Sequence, residues 1–308
     1  MLNTERLKFN RNGLKLPADG TRFIAGLVAL LVSLPIILDL SFNGVNRAFF
    51  YSAADAFYYF TIGDSFADSG IFSFDQSEWT SGYHPLWGYI VGLLAVVARF
   101  LDFQTVTTIV VATLVSSILL GAGIWLTIHG LGRAGIRITA LWVLVPVGIT
   151  AIAALPLSSR YGTVWSFANG MESSLLVFVF GIFIWHAAYC NLFSNRKNAV
   201  ITGILLGLIF LARMDSIVLI PALLVQGSLN FELRSEKFKY LVLAVVIASG
   251  IIVVQMAFSL ITTSSPLAAS GSLKSTFPIP YAAVDHLEGL IDLVRNPSQA
   301  NWRYVQMM

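Results

Sequence analysis

Apolar residues fall in long uncharged blocks separated by short polar links over most of the chain. A block of ~18 or more such residues is long enough to cross a bilayer as a helix. Residues 104–128, 138–157, 171–189 and 240–263 reach that length. Residues 23–38 follow a basic start, and with no small-x-small site close behind them they predict an uncleaved first helix with its N-terminus in the cytoplasm. Three further blocks are short for a span at ~1.5 Å per residue. One is 84–98, interrupted by Gly88 and Gly92; the others, 198–212 and 216–226, flank Arg213, Met214 and Asp215. The pattern predicts an all-α, polytopic membrane protein with about seven membrane-embedded helices.

Residues 43–83 break the pattern, with Arg47 set against Asp55, Asp64, Asp68, Asp75 and Glu78 among many aromatics. This reads as a long extracytoplasmic loop. Within it, residues 53–68 lack Pro and carry Tyr58, Ile62 and Phe66 at i, i+4, i+8, with Thr61, Asp64, Ser65 and Asp68 on another face. That spacing predicts a helix lying in the membrane interface, aromatic side down. Residues 1–263 form one transmembrane module that includes an extracytoplasmic loop over 43–103, and 264–308 form a further extracytoplasmic segment.

Composition sharpens the class. Only 11% of the 308 residues are charged and 56% are hydrophobic, whereas soluble domains carry about 25% charge. A soluble enzyme, a disordered chain and a repeat solenoid are excluded as first readings. The net charge of +3 resides in short basic clusters, which read as topology signals rather than a nucleic-acid surface. The single Cys190 excludes an intramolecular disulfide, and no His/Cys pair has metal-ligand spacing.

The clusters Arg133/Arg137, Arg196/Lys197 and Arg234/Lys237/Lys239 each lie in a short link. All three fall in the cytoplasm only if 84–98 does not fully cross. Total Lys and Arg counts barely separate the two topologies; density in the short links favours this one. Residues 43–103, 156–170, 213–215 and 264–308 then share the outer face.

That face collects the polar residues able to do chemistry. Asp55 could serve as a general base or as a helix cap. Tyr58 and Tyr59 could position a sugar or lipid head, or anchor at the interface. His84 could bond a phosphate or acceptor, or simply precede Pro85 at a helix start. Trp87 reads as an interface anchor. Asn169 and Glu172 have capping-box spacing, with Glu172 as a second acid in the functional reading. Arg213 and Asp215 are costly between apolar segments unless paired or facing a cavity. Arg213 suits a phosphate clamp, and Asp215 could orient it or cap the segment that follows. Lys274, after a Ser/Gly stretch, is a second phosphate candidate.

The ordered set Ala-Asp-Ala-Phe-Tyr-Tyr-Phe (54–60), Thr-Ser-Gly-Tyr-His-Pro-Leu-Trp (80–87), Asn-Gly-Met-Glu (169–172), Leu-Ala-Arg-Met-Asp-Ser (211–216) and Ser-Gly-Ser-Leu-Lys-Ser (270–275) resembles the bacterial membrane glycosyltransferases of the C superfamily, relatives of the lipid-dependent protein mannosyltransferases. Such families commonly continue with further helices, so the resemblance is to an N-terminal portion or a truncated member. It implies an inner-membrane enzyme with its active face in the periplasm. A sugar would pass from a polyprenyl-phosphate donor to a glycan or other envelope acceptor, with a first-loop acid as base. It implies Asp55 as the catalytic residue and Tyr58, Tyr59, His84, Glu172, Arg213, Asp215 and Lys274 as substrate contacts. Membrane lipid is the other expected partner, and nucleic acid is not expected. No cofactor beyond the lipid-linked donor is implied for certain, although a divalent metal could assist the leaving phosphate. Relatives commonly carry a second acid where this chain has Ala54, which raises the alternative of a non-catalytic member that binds lipid-linked sugar or a partner; a lipid or sugar transporter is a further alternative, against which no repeat is evident between the chain halves.

Overall fold

The computed structural model describes residues 18–135 and 167–265. The predicted span at 138–157, Arg137, Lys274 and nearly all of 264–308 lie outside the described residues. Among those described, every regular element is helical. α1 covers Ala18–Tyr51, α2 Ala56–Ser69, α3 Pro85–Phe100 and α4 Thr105–Arg133. α5 covers Ser173–Cys190, α6 Arg196–Ala212, α7 Leu219–Asn230 and α8 Glu236–Thr263, with a 3₁₀ turn at Met214–Val218 before α7. Four helices are long and apolar enough to cross a membrane: Gly20–Tyr51 within α1, Thr105–Arg133, Ser173–Cys190 and Glu236–Thr263.

α1 extends well into the stretch expected to be loop. It continues through residues 39–51 because a local network replaces apolar packing there. Asp39 accepts bonds from Asn43 (2.6 Å), Arg47 Nε (3.2 Å) and the Tyr51 hydroxyl (2.6 Å). Its one interruption is Gly44, at φ 59° and ψ −137°, a conformation open to glycine and costly for other residues.

The helices meet where small residues let backbones approach, as is common between membrane helices. A Cβ on Gly181 would stand 2.6 Å from the Gly123 carbonyl oxygen, and one on Gly123 would stand 2.7 Å from the Phe178 backbone. Gly130 faces Trp185 in the same register, so α4 and α5 run parallel. Gly121 on Ser33 and Gly132 on Thr21 make α1 antiparallel to α4; Gly203 on Ala244 and Gly207 on Ile251 make α6 parallel to α8. These registers give the bundle two distinct ends. One holds the starts of α1, α6 and α8 with the ends of α4, α5 and α7, and is basic. The other holds the ends of α6 and α8 and the start of α5.

α2 and α3 are parallel to each other. Tyr59 bonds the His84 amide, Gly63 packs on Val91, and Asp64 and Asp68 pair with Arg99. Asp64 also accepts a bond from Thr105 at the start of α4 (3.3 Å). α3 therefore runs from the second end of the bundle outward, beside the first part of α4, and does not return to the basic end.

The face of α2 differs from the expected one. Its buried residues are Ala56, Tyr59, Phe60, Ile62, Gly63 and Ser65, while Tyr58 is 57% exposed and meets the Phe74 ring edge-on. The aromatic stripe at 58, 62 and 66 is split because Gly63 allows α3 to approach on the side of Tyr59. Trp87 is also corrected. It is fully buried, and its indole N–H donates to the Gly170 carbonyl at 2.8 Å; it pins a turn and anchors no interface.

Candidate functional site

Four segments meet at the second end of the bundle. The turn at 169–171 is fixed first. The Ala53 amide donates to the Asn169 carbonyl (2.9 Å), and Asn169 Oδ1 accepts the Met171 amide (3.1 Å). Gly170 sits at φ 78°, where a Cβ would crowd Phe60 and Ala56 at 3.0 and 3.1 Å. This geometry replaces the expected capping box. The Glu172 side chain caps nothing and turns instead into the space between α2, α3 and the 213–215 break.

Glu172 is 2% exposed. The Tyr59 hydroxyl donates to its Oε2 at 3.0 Å, His84 Nε2 stands 3.5 Å from Oε1, and Arg213 Nη1 stands 3.8 Å from the same oxygen. A buried carboxylate needs such partners, since an unpaired one is strongly disfavoured. Tyr59 also accepts the His84 amide at 3.2 Å. Burial, reinforced by the Glu172 charge, raises its phenol above the usual range, so it remains a donor.

His84 combines both sequence readings. It precedes Pro85 with an extended backbone, and its ring lies in the cluster. Nδ1 accepts the Met214 amide at 3.4 Å, so the ring proton resides on Nε2, facing Glu172. Burial lowers its pKa and Arg213 adds to that; Glu172 and Asp215 oppose it. The ring is neutral near pH 7.

Arg213 ends α6 with an extended backbone. Its Nε bonds both Asp215 oxygens, at 3.0 and 3.1 Å. Asp215 therefore orients Arg213 rather than capping the following segment. The Arg213 side chain is 41% exposed, which leaves guanidinium N–H groups facing outward. Beside Met214 lies a small, shallow crevice lined by Thr80, Tyr83, Gln255, Ser259 and Thr262. Within its wall Tyr89 donates to Gln255 (2.8 Å) and Gln255 to Ser259 (3.2 Å).

Asp55 stands apart from the network. It is exposed at the start of α2, makes no side-chain cap and has no side-chain partner among the described residues. It lies one turn before Tyr59, on the same side of α2. Of the expected set, Tyr59, His84, Glu172, Arg213 and Asp215 come together, Asp55 borders them, and Tyr58 points elsewhere. Gln255 and Ser259 were not singled out in the sequence, although two polar side chains four apart in an apolar helix are a usable signal. Among the described residues no group of three or more His, Cys, Asp or Glu side chains converges to hold a metal ion. No family model, curated protein or solved structure matches the chain.

Proposed function

We propose that this protein is a membrane glycosyltransferase that moves a sugar from a polyprenyl-phosphate donor to an acceptor hydroxyl at the periplasmic face of a bacterial inner membrane. The observation that carries the reading is the meeting of Tyr59, His84, Glu172 and Arg213, from segments far apart in sequence, at the end opposite the basic links. In the reaction the acceptor oxygen attacks the anomeric carbon. The bond from that carbon to the phosphate oxygen breaks, its electron pair leaves with the lipid phosphate, and Asp55 takes the acceptor proton.

The roles follow from who is already engaged. Arg213, aimed by Asp215 and Glu172, keeps outward N–H groups for a phosphate. Glu172 is buried and already faces Tyr59, His84 and Arg213, and acts as a positioning residue, as do Tyr59 and His84. Asp55 is the unengaged carboxylate at the border.

The non-catalytic alternative keeps one specific observation, Ala54 in place of a second acid. Turnover and binding of a short-chain polyprenyl phosphate, measured separately on folded protein, distinguish the two. Asp55→Asn should cut transfer about 10²–10⁴-fold with binding retained. Arg213→Ala should weaken binding, and Arg213→Lys should restore it only in part, since Lys lacks the fork. Wild-type turnover by Asp55→Asn, with no gain from Ala54→Asp, would overturn catalysis by the first-loop acid.

A further inference from the structure

At the basic end of the bundle α1, α4 and α5 bring together a second cluster, independent of the Glu172 site. Thr21 packs against Gly132, which sets Arg22 beside the last turns of α4. Arg22 Nε donates to His129 Nε2 at 3.4 Å, and the Tyr189 hydroxyl stands 3.1 Å from the same nitrogen. The Arg133 guanidinium lies over the Tyr189 ring, 5.5 Å from its centroid. Among the residues whose side chains are described, neither arginine is in an ion pair, and both are exposed. Exposed Phe23 and Trp125 flank them.

The resting arrangement leaves a polar group unsatisfied. Because His129 Nε2 accepts from Arg22, the ring proton must sit on Nδ1. That nitrogen is buried and has no partner among the described residues. A buried donor without an acceptor is costly.

We propose that Arg22 and Arg133 form a binding site for the phosphate headgroup of an anionic phospholipid. Two exposed guanidiniums offer planar forks matched to phosphate oxygens. Tyr and Trp rings beside exposed apolar side chains, at the ends of three long apolar helices, suit a ligand that carries acyl chains below its phosphate. A basic pocket between helices at the cytoplasmic side is where anionic headgroups are held.

The test uses purified protein in mixed micelles, with binding and thermal unfolding followed on titration with phosphatidylglycerol or with phosphatidylcholine of the same chains. Phosphatidylglycerol should bind saturably and raise the unfolding temperature, whereas phosphatidylcholine should not. Arg22→Gln with Arg133→Gln should weaken phosphatidylglycerol binding at least about tenfold, since both charge-assisted contacts to the phosphate are lost. Lys237→Gln with Lys239→Gln, an equal charge change at the same end, should leave it unchanged. Should the arginine pair fail to fold, Arg133→Gln alone must still show a loss. Equal binding of the two lipids, or equal loss in the lysine control, would overturn the site. Competition by millimolar inorganic phosphate would overturn the lipid and leave a soluble anion site.

Discussion

Glu172 is the one buried carboxylate among the described residues, and the ring of His84 owes its protonation state to the same burial. Burial lowers the His84 pKa below its ordinary 6.5, with Arg213 acting the same way. The unfolded chain then binds more protons below pH 6.5 than the folded one does. Stability from this group is complete above about 6.5 and falls as the pH drops below it, by at most about 1.4 kcal/mol per pH unit. Thermal unfolding from about pH 8 to about pH 5 should show this decline, and His84→Gln should flatten it. Equal slopes in the two proteins would mean that His84 does not titrate differently on folding. His84, Glu172 and Arg213 were legible as candidates because charged or polar side chains border apolar blocks. Their mutual arrangement was not, since the Tyr59–Glu172 bond spans 113 positions and no local pattern encodes it. Asn169 and Glu172 illustrate the limit: capping-box spacing is present, yet the Gly170 turn redirects both side chains.

At the scale of elements, the apolar blocks located the helices well, and their ends and faces less well. α4 was expected over 104–128 and covers Thr105–Arg133; α8 was expected over 240–263 and begins at Glu236, where Ser235 caps the Phe238 amide. Caps and charged first turns extend helices beyond their apolar cores. The face of α2 was misread because periodicity weighs large side chains, whereas packing against α3 is set by Gly63, which contributes no apolar signal. The same logic predicts unequal glycines. Gly181→Ala should destabilise the protein by roughly 1–3 kcal/mol, as overpacking does, because its Cβ meets a backbone oxygen that cannot yield. Gly250→Ala meets nothing within 4 Å and should be neutral or stabilising by up to ~1 kcal/mol. Denaturation in detergent measures both, and equal effects would mean that α4 and α5 are not in close contact.

At the scale of the molecule, the charge of the described residues divides between the two ends. Arg22, Arg133, Arg196, Lys197, Arg234, Lys237 and Lys239 gather at one, with Glu232 and Glu236. The other holds Asp39, Asp55, Asp64, Asp68, Asp75, Glu78, Asp102, Glu172 and Asp215 against Arg47, Arg99 and Arg213. Arg99, the cation that would argue for an inward α3 terminus, is paired with Asp64 and Asp68. The positive-inside rule predicts that the basic end faces the cytoplasm, and α3 runs away from that end. Single cysteines in a Cys190→Ser background test both statements. Ser77 and Gln104, both exposed, flank α3. Ser77→Cys and Gln104→Cys should both react with an impermeant reagent from outside, and Lys237→Cys only once the membrane is opened. If Ser77→Cys reacts from outside but Gln104→Cys does not, α3 crosses, and α4 and every later link change sides. Glu172 and Asp215 would then lie across the membrane from Tyr59 and His84, so the cluster itself, and the periplasmic site with it, could not stand. Reaction of Lys237→Cys from outside would overturn the assignment of the basic end, and with it the leaflet from which Arg22 and Arg133 take their lipid.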